Sequence, residues 1–275
     1  MNNDEYLKYI KFEKVKREMI DLIEIHLADH CNLNCASCDH FSPIAEKEFY
    51  DLDKYIKDIK RLSFVTDGKI NRILLLGGEP LLNKDIVSYI DITRECFSNS
   101  EIVIVTNGLL LPKMDDSFFE CLNRNDVGLE ITKYPMEKVY DKIESILINN
   151  KVKYKYFNST SSKKTRHKLP LDLDGKQDMN NSYNKCYMGG RCVQFKDGKI
   201  YTCSTVAYIN HFEKKFNVSL ERTVNDYIDV YSCNDIKEII DYLNKPIDFC
   251  RFCDVDNRKY KLDWGVSKGD IDEWV

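Results

Sequence analysis

The stretch DLIEIHLADHCNLNCASC, residues 21–38, places a short apolar run directly before three cysteines. DLIEIHL (21–27) reads as a β-strand, and the pattern it starts continues downstream. KINRILLL (69–76), EIVIVT (101–106), GLEIT (128–132) and VKYKYF (152–157) are further short runs, with amphipathic segments between them. Between the first two strands, Leu52, Tyr55, Ile56, Ile59 and Leu62 recur at helical spacing, so one helix face is buried against a sheet. Helices are also expected at 83–97, 115–124 and 136–149, the last opening just after Pro135. Strands alternating with helices mark repeated βα units around a parallel sheet, and the expected fold class is α/β.

Residues 158–184 interrupt this order with polar sequence that has almost no periodicity, the composition of a junction. RCVQFKDGKIYTC (191–203) then alternates on both sides of Asp197-Gly198, a dipeptide suited to a tight hairpin turn. A helical stretch near 234–244 ends before Pro246. The expected layout is an N-terminal helical extension over 1–20, an α/β core over 21–165, a linker over 166–185 and a small domain over 186–275 built from a β-hairpin and a helix.

The 275 residues are 43% hydrophobic and 31% charged with a net charge of −4, an ordinary globular composition that lacks the basic footprint of a nucleic-acid-coating protein. No apolar run approaches the ~18 residues of a membrane span, and the first 20 residues hold no apolar signal-peptide core, so a cytoplasmic location and no membrane partner are expected. Eleven cysteines in a reducing compartment do not make a disulfide framework. They point to metal, catalysis or burial.

Cys31, Cys35 and Cys38 stand in a C-x3-C-x2-C arrangement. Three thiolates on one loop can hold a zinc ion if His26, His30 or His40 adds a fourth ligand, or a [4Fe-4S] cluster with one iron left open. In parallel α/β sheets the chemistry sits beyond the carboxyl ends of the strands, where this loop lies, which favours the open iron. The second strand ends at the same rim in GGEP, Gly77 to Pro80, with glycines that allow close backbone approach and Glu79 as an acceptor for a cation.

C-x3-C-x2-C after strand one and GGEP after strand two together resemble the radical S-adenosylmethionine (SAM) superfamily. The resemblance spans about Asp21 to Phe157 and implies a partial (β/α)6 TIM-like barrel. It further implies that the three Cys hold a [4Fe-4S] cluster whose open iron is chelated by SAM, and that Gly77, Gly78, Glu79 and Pro80 form the segment at the SAM amino group. Thr106-Asn107-Gly108, ending the third strand, resembles a family segment lining the SAM pocket, to which Thr132 at the end of the fourth strand is added. The residue before the third Cys is usually aromatic in the family and packs near the adenine; here it is Ser37, with Phe41 as a neighbour to take its place.

Cys186, Cys192 and Cys203 flank the hairpin, and Cys250 and Cys253 form a C-x2-C pair. Zinc knuckles are one reading. Beside a radical SAM core, the spacing resembles SPASM/twitch auxiliary-cluster domains, a twitch type because no cysteine follows Cys253. The resemblance implies a second [4Fe-4S] cluster on Cys186, Cys203, Cys250 and Cys253, with Cys192 as an alternative ligand or a hydrogen donor. Such a small domain is expected to depend on its cluster for folding. Cys96, Cys121 and Cys233 read as buried structural residues, and His26 as a core histidine.

The implied chemistry is reductive cleavage of SAM and hydrogen abstraction from a substrate. In size and cluster spacing the chain resembles the compact twitch-type cyclitol dehydrogenases, so oxidation of an alcohol on a small carbohydrate- or cyclitol-like substrate is expected. The auxiliary cluster would accept the electron, and flavodoxin or ferredoxin would be the external donor. An epimerase with Cys192 returning hydrogen, a peptide-modifying maturase and a zinc-binding interaction module are the alternatives. Lys133 and Tyr134, after the fourth strand, and His40 are candidates for the substrate side, and the Lys163-Lys164-Arg166-His167-Lys168 run for an anionic group.

Overall fold

The structure, a computed structural model, describes residues 16–157 and 162–275. Its first half alternates as β1 (Ile20–Ala28), α1 (Leu52–Thr66), β2 (Ile70–Gly77), α2 (Ile86–Cys96), β3 (Glu101–Thr106), α3 (Asp116–Arg124), β4 (Gly128–Ile131), α4 (Glu137–Asn149) and β5 (Tyr154–Tyr156). There follow β6 (Thr165–Lys168), α5 (Met179–Lys185), β7 (Gln194–Lys196), β8 (Lys199–Tyr201), α6 (Ser204–Phe216), β9 (Ile228–Asp229), α7 (Ile236–Leu243) and β10 (Lys259–Asp263). The main sheet runs β5-β4-β3-β2-β1-β7-β8-β9. Neighbours from β5 through β1 to β7 are parallel, while β8 and β9 are antiparallel additions. Six parallel strands with helices after the first four agree with a partial TIM-like barrel.

Period-two alternation explains the layering. Ile23, Ile25, Ile73, Leu75, Ile102, Ile104, Leu129 and Ile131 are buried in one cluster with Tyr55, Ile59 and Leu62 of α1 and Tyr140, Ile143 and Leu147 of α4. The other face presents Glu24, Leu74, Leu76, Val105 and Glu130 to a cavity. Asp51 caps α1 by accepting from the Lys54 amide at 2.9 Å, and Asp67, in the left-handed region at φ 52, ends it.

Several expectations need correction. Residues 1–15 of the expected helical extension lie outside the described residues; 16–19 are not helical, and Ile20 already belongs to β1. The hairpin forms as expected around Asp197 (φ 55) and Gly198 (φ 73), yet β7 pairs with β1 through Glu24 and Gln194. Val193, Phe195, Ile200 and Val230 thereby join the main core, so packing is continuous across residue 186. The segment 166–185 contributes β6, antiparallel to β10, and α5. A second apolar cluster gathers Phe41, Val206, Ile209, Phe212, Phe249, Phe252 and Trp274, so the C-terminal part has a hydrophobic core of its own. Among the described residues, no helix is long and apolar enough to cross a membrane.

Candidate functional site

Beyond the carboxyl ends of β1 to β4 lies a cavity of 920 Å³ whose lining includes Cys31, Cys35 and Cys38. Burial pushes the Cys31 and Cys38 thiols up, so their thiolate forms need a cation to stabilise them. Among the described residues, Asp29, Glu48 and His211 are the one group of three or more His, Cys, Asp or Glu ligand atoms within 4.8 Å of one another. At least one pair of the three sulfurs therefore stands wider apart than the edge of a zinc tetrahedron, about 3.8 Å for bonds of about 2.3 Å. Asp29 itself is already balanced by His26, His211 and Lys196 at 2.8, 2.9 and 3.1 Å.

The GGEP segment acts differently from the expectation at one residue. Gly77 and Gly78 line the cavity, and a Cβ on Gly78 would stand 2.3 Å from the His30 carbonyl oxygen. Gly78 and Glu79 amides donate to Ala28 and His30 carbonyls at 2.8 and 3.1 Å, which ties β2 to the start of the cysteine loop. Glu79 is fully buried: its carboxylate accepts from Thr106 Oγ1 (2.6 Å), the Asn107 amide (2.9 Å) and the Leu81 amide (3.1 Å). Burial raises it to about 7 despite these donors. Glu79 thus positions Thr106 and Asn107, which do line the cavity, and Pro80 is buried beside it. Asn107 Nδ2 reaches Asn32 Oδ1 at 2.7 Å and Cys31 Sγ at 3.9 Å.

Thr132 and Tyr134 line the cavity as expected, whereas Lys133 does not. Lys133 Nζ turns to Glu144 Oε1 at 3.2 Å and lies 3.9 Å from the centre of the Tyr156 ring. Phe41 is buried against Phe212 and Trp274, away from the cavity, whose aromatic lining is Tyr134, Phe157, Tyr260 and Trp264. Ser37 has a structural reason to be small: its hydroxyl donates to the Glu273 carbonyl at 2.8 Å and accepts from Arg166 Nη1 at 2.6 Å. The C-terminal segment straps the loop down, with the Ala36 amide donating to Gly265 O at 2.9 Å and the Ser267 amide to Asn34 O at 2.7 Å. Nothing local in the sequence signalled this strap.

Two acidic features of the cavity were also missed. Glu24, an acid inside an apolar strand, lines it with Gln194 Nε2 donating at 2.5 Å, and burial raises its carboxyl to about 7. Asp39 also lines it and is kept charged by His167 at 3.3 Å. His40 lines the cavity with Nδ1 2.5 Å from His26 Nε2, and His26 in turn holds Asp29. Burial pushes His26 down to about 3, so it is a neutral, satisfied core residue. Lys163, Lys164, Arg166 and His167 line the cavity too, but Lys168 does not.

A second, enclosed pocket is lined by Cys186, Cys203, Cys250 and Cys253 together with Met188, Ile247 and Phe249. Burial raises the thiols of Cys203 and Cys253. The Gly189 amide donates to Cys186 Sγ at 3.3 Å, so backbone already points at one prospective ligand. Four thiols around one apolar pocket fit a four-cysteine metal centre. Cys192 lines neither this pocket nor the cavity; its half-buried thiol is raised by desolvation, with the Glu24 and Asp39 carboxylates contributing. Cys121 and Cys233 are buried and Cys96 half-buried.

Residues 25–145 match the sequence profile of the Radical SAM superfamily. A GTP 3',8-cyclase of Clostridium perfringens is 35% identical over 152 residues, 50% of this chain and 46% of the cyclase. Another, of Petrotoga mobilis, is 32% identical over 94 residues, 34% and 29% of the two chains. The chain spans about half the length of the curated relatives it matches, or less. A crystal structure of BtrN in complex with AdoMet and 2-DOIA aligns with 86% of this chain and 94% of its own at 18% identity and a TM-score of 0.49.

Proposed function

We propose, from the match of residues 25–145 to the Radical SAM superfamily profile, that this chain is a SAM-dependent radical enzyme oxidising an alcohol on a small carbohydrate- or cyclitol-like substrate. The observation that carries the reading is that Cys31, Cys35 and Cys38 share one cavity with Gly77, Gly78, Thr106 and Asn107. A [4Fe-4S] cluster on the three cysteines would supply an open iron and the electron that cleaves SAM, delivered by an external donor such as flavodoxin or ferredoxin. A second [4Fe-4S] cluster on Cys186, Cys203, Cys250 and Cys253 is proposed as the electron acceptor.

The chain's own residues bind, orient and shield. Gly77 and Gly78 let backbone approach the amino-acid end of SAM, while Asn107, fixed by Glu79, turns its amide toward Cys31. Tyr134 and Trp264, with ring centres 5.5 Å apart and planes tilted by 56°, form an aromatic corner for the adenine in place of the missing aromatic at Ser37. Glu24, poised near neutrality, accepts a hydrogen bond or the proton of a substrate hydroxyl.

A second reading, a nucleotide-type substrate, is favoured by one observation: Lys163, Lys164 and Arg166 line the cavity, and no ion pair ties them to a described carboxylate. It accords with the naming of the relatives as GTP 3',8-cyclases. Epimerisation with Cys192 as hydrogen donor has less support, because Cys192 does not line the cavity.

Anaerobic reconstitution with iron and sulfide counting, followed by SAM and candidate substrates, tests the proposal. It predicts about eight irons per chain for two four-iron clusters, SAM-dependent 5′-deoxyadenosine, and a product two hydrogens lighter than an alcohol substrate. Zinc without iron at Cys31, Cys35 and Cys38 would sink it. A product of unchanged mass points to epimerisation, and turnover of a nucleoside triphosphate to the second reading.

A further inference from the structure

Arg258 is a guanidinium in an apolar setting. It is 4% exposed, and no ion pair joins it to a described carboxylate. Its Nη2 donates to Cys186 Sγ at 3.8 Å and its Nη1 to the Tyr260 hydroxyl at 3.2 Å, while Nε is buried with no partner. The Tyr187 ring lies 4.5 Å from the guanidinium carbon. A cation withdrawn from water without an anion is strongly unfavourable, and four neutral thiols offer no anion. A cubane held by four thiolates is net anionic in its usual redox states and gains one more negative charge on reduction.

Resting on the proposed second cluster, we infer that Arg258 is its built-in counter-cation, setting its reduction potential by charge and by N–H donation to Cys186. Hydrogen bonds and positive charge at the sulfurs favour the reduced state. Arg258 is also a bridge in space: Cys186 lines the enclosed pocket and Tyr260 lines the cavity. The same guanidinium therefore faces the four-cysteine site on one side and a wall of the substrate cavity on the other. Lys could keep the charge but not this two-sided fork.

The test uses the full chain with Cys31, Cys35 and Cys38 replaced by Ala, so that only the second centre is read. After anaerobic reconstitution, iron is counted and the midpoint potential is measured by redox titration followed by electron paramagnetic resonance. The parent, Arg258→Lys and Arg258→Met are expected to hold about four irons each, with the potential most negative in the Met variant and intermediate in the Lys variant. Should the Met variant fail to fold or load, the Lys variant decides, because lost donation to Cys186 alone still lowers the potential. Full iron with an unmoved potential overturns the role of Arg258 and leaves the second cluster standing. A parent that binds zinc, or no metal at all, overturns the second cluster and the inference together.

Discussion

Trp264 donates its indole N–H to Cys35 Sγ across 3.2 Å, joining positions 229 apart in the sequence. Trp274 adds a second indole donor, to the Cys38 carbonyl at 3.0 Å. Residues near the end of the chain thus shape the loop that follows its first described strand.

Trp264→Phe keeps a smaller aromatic ring beside Tyr134 and deletes the N–H donor. The variant is expected to hold normal iron, while the potential of the cluster on Cys31, Cys35 and Cys38 becomes more negative, since donors to the sulfurs favour reduction. A redox titration in a Cys250→Ala, Cys253→Ala background reads this cluster alone; equal potentials would show that the indole serves packing only.

Glu79→Gln replaces an acceptor with an amide N–H facing the Asn107 amide, so at least one of three hydrogen bonds is lost. We expect a stability loss of about 1–3 kcal/mol, weaker SAM binding and unchanged iron. Calorimetry with SAM checks the second point, and wild-type affinity would dismiss Glu79 as the organiser of Asn107.

Glu24 supplies a pH test. Its carboxyl rises from 4.5 to about 7 on burial, so between those values the unfolded chain binds fewer protons and stability falls as pH increases. His26, held at about 3 by burial, acts with the opposite sign up to its ordinary range, so the informative quantity is variant against wild type. Glu24→Gln is expected to gain on wild type as pH rises from 4.5 to 7, by up to about 3 kcal/mol, and to level off above. Urea unfolding of the metal-free chain at pH 5 and pH 8 measures it; a difference independent of pH means that Glu24 stays ionised throughout.

Cys250→Ala with Cys253→Ala should halve iron, from about eight to about four, and leave a folded chain that still forms 5′-deoxyadenosine. Val206, Ile209, Phe212, Phe249 and Trp274 give the cluster that also holds Cys253 an apolar body of its own. Circular dichroism and an iron assay settle both points; a chain that unfolds would make the metal the scaffold of this region after all.

The five strands of the first half were legible because each is a compact apolar run set off by helices of clear spacing. The helix α6 was not: Ser204 through Ile209, His211 and Phe212 are all buried, so its first two turns carry no polar stripe to reveal a period. Pairing of β7 with β1 escaped for a different reason, since partners 170 residues apart leave no local mark. In the site, the cysteines and glycines were readable from spacing, while the turn of Lys133 toward Glu144 depends on where α4 packs. Glu24 was in plain view as a carboxylate within an apolar strand. Its meaning waited on the finding that this face of β1 borders the cavity.

The late arrival of β7 has a consequence for how the chain is made. At about 5–20 residues per second, roughly 10–30 s separate the synthesis of Glu24 from that of Gln194. Through that interval β1 carries one unsatisfied edge, with Ile23, Ile25 and Leu27 beside it, and such an edge is a template for another chain. β1 is therefore the segment through which nascent molecules would associate, and protecting it is a task for the folding machinery of the host until residue 194 emerges.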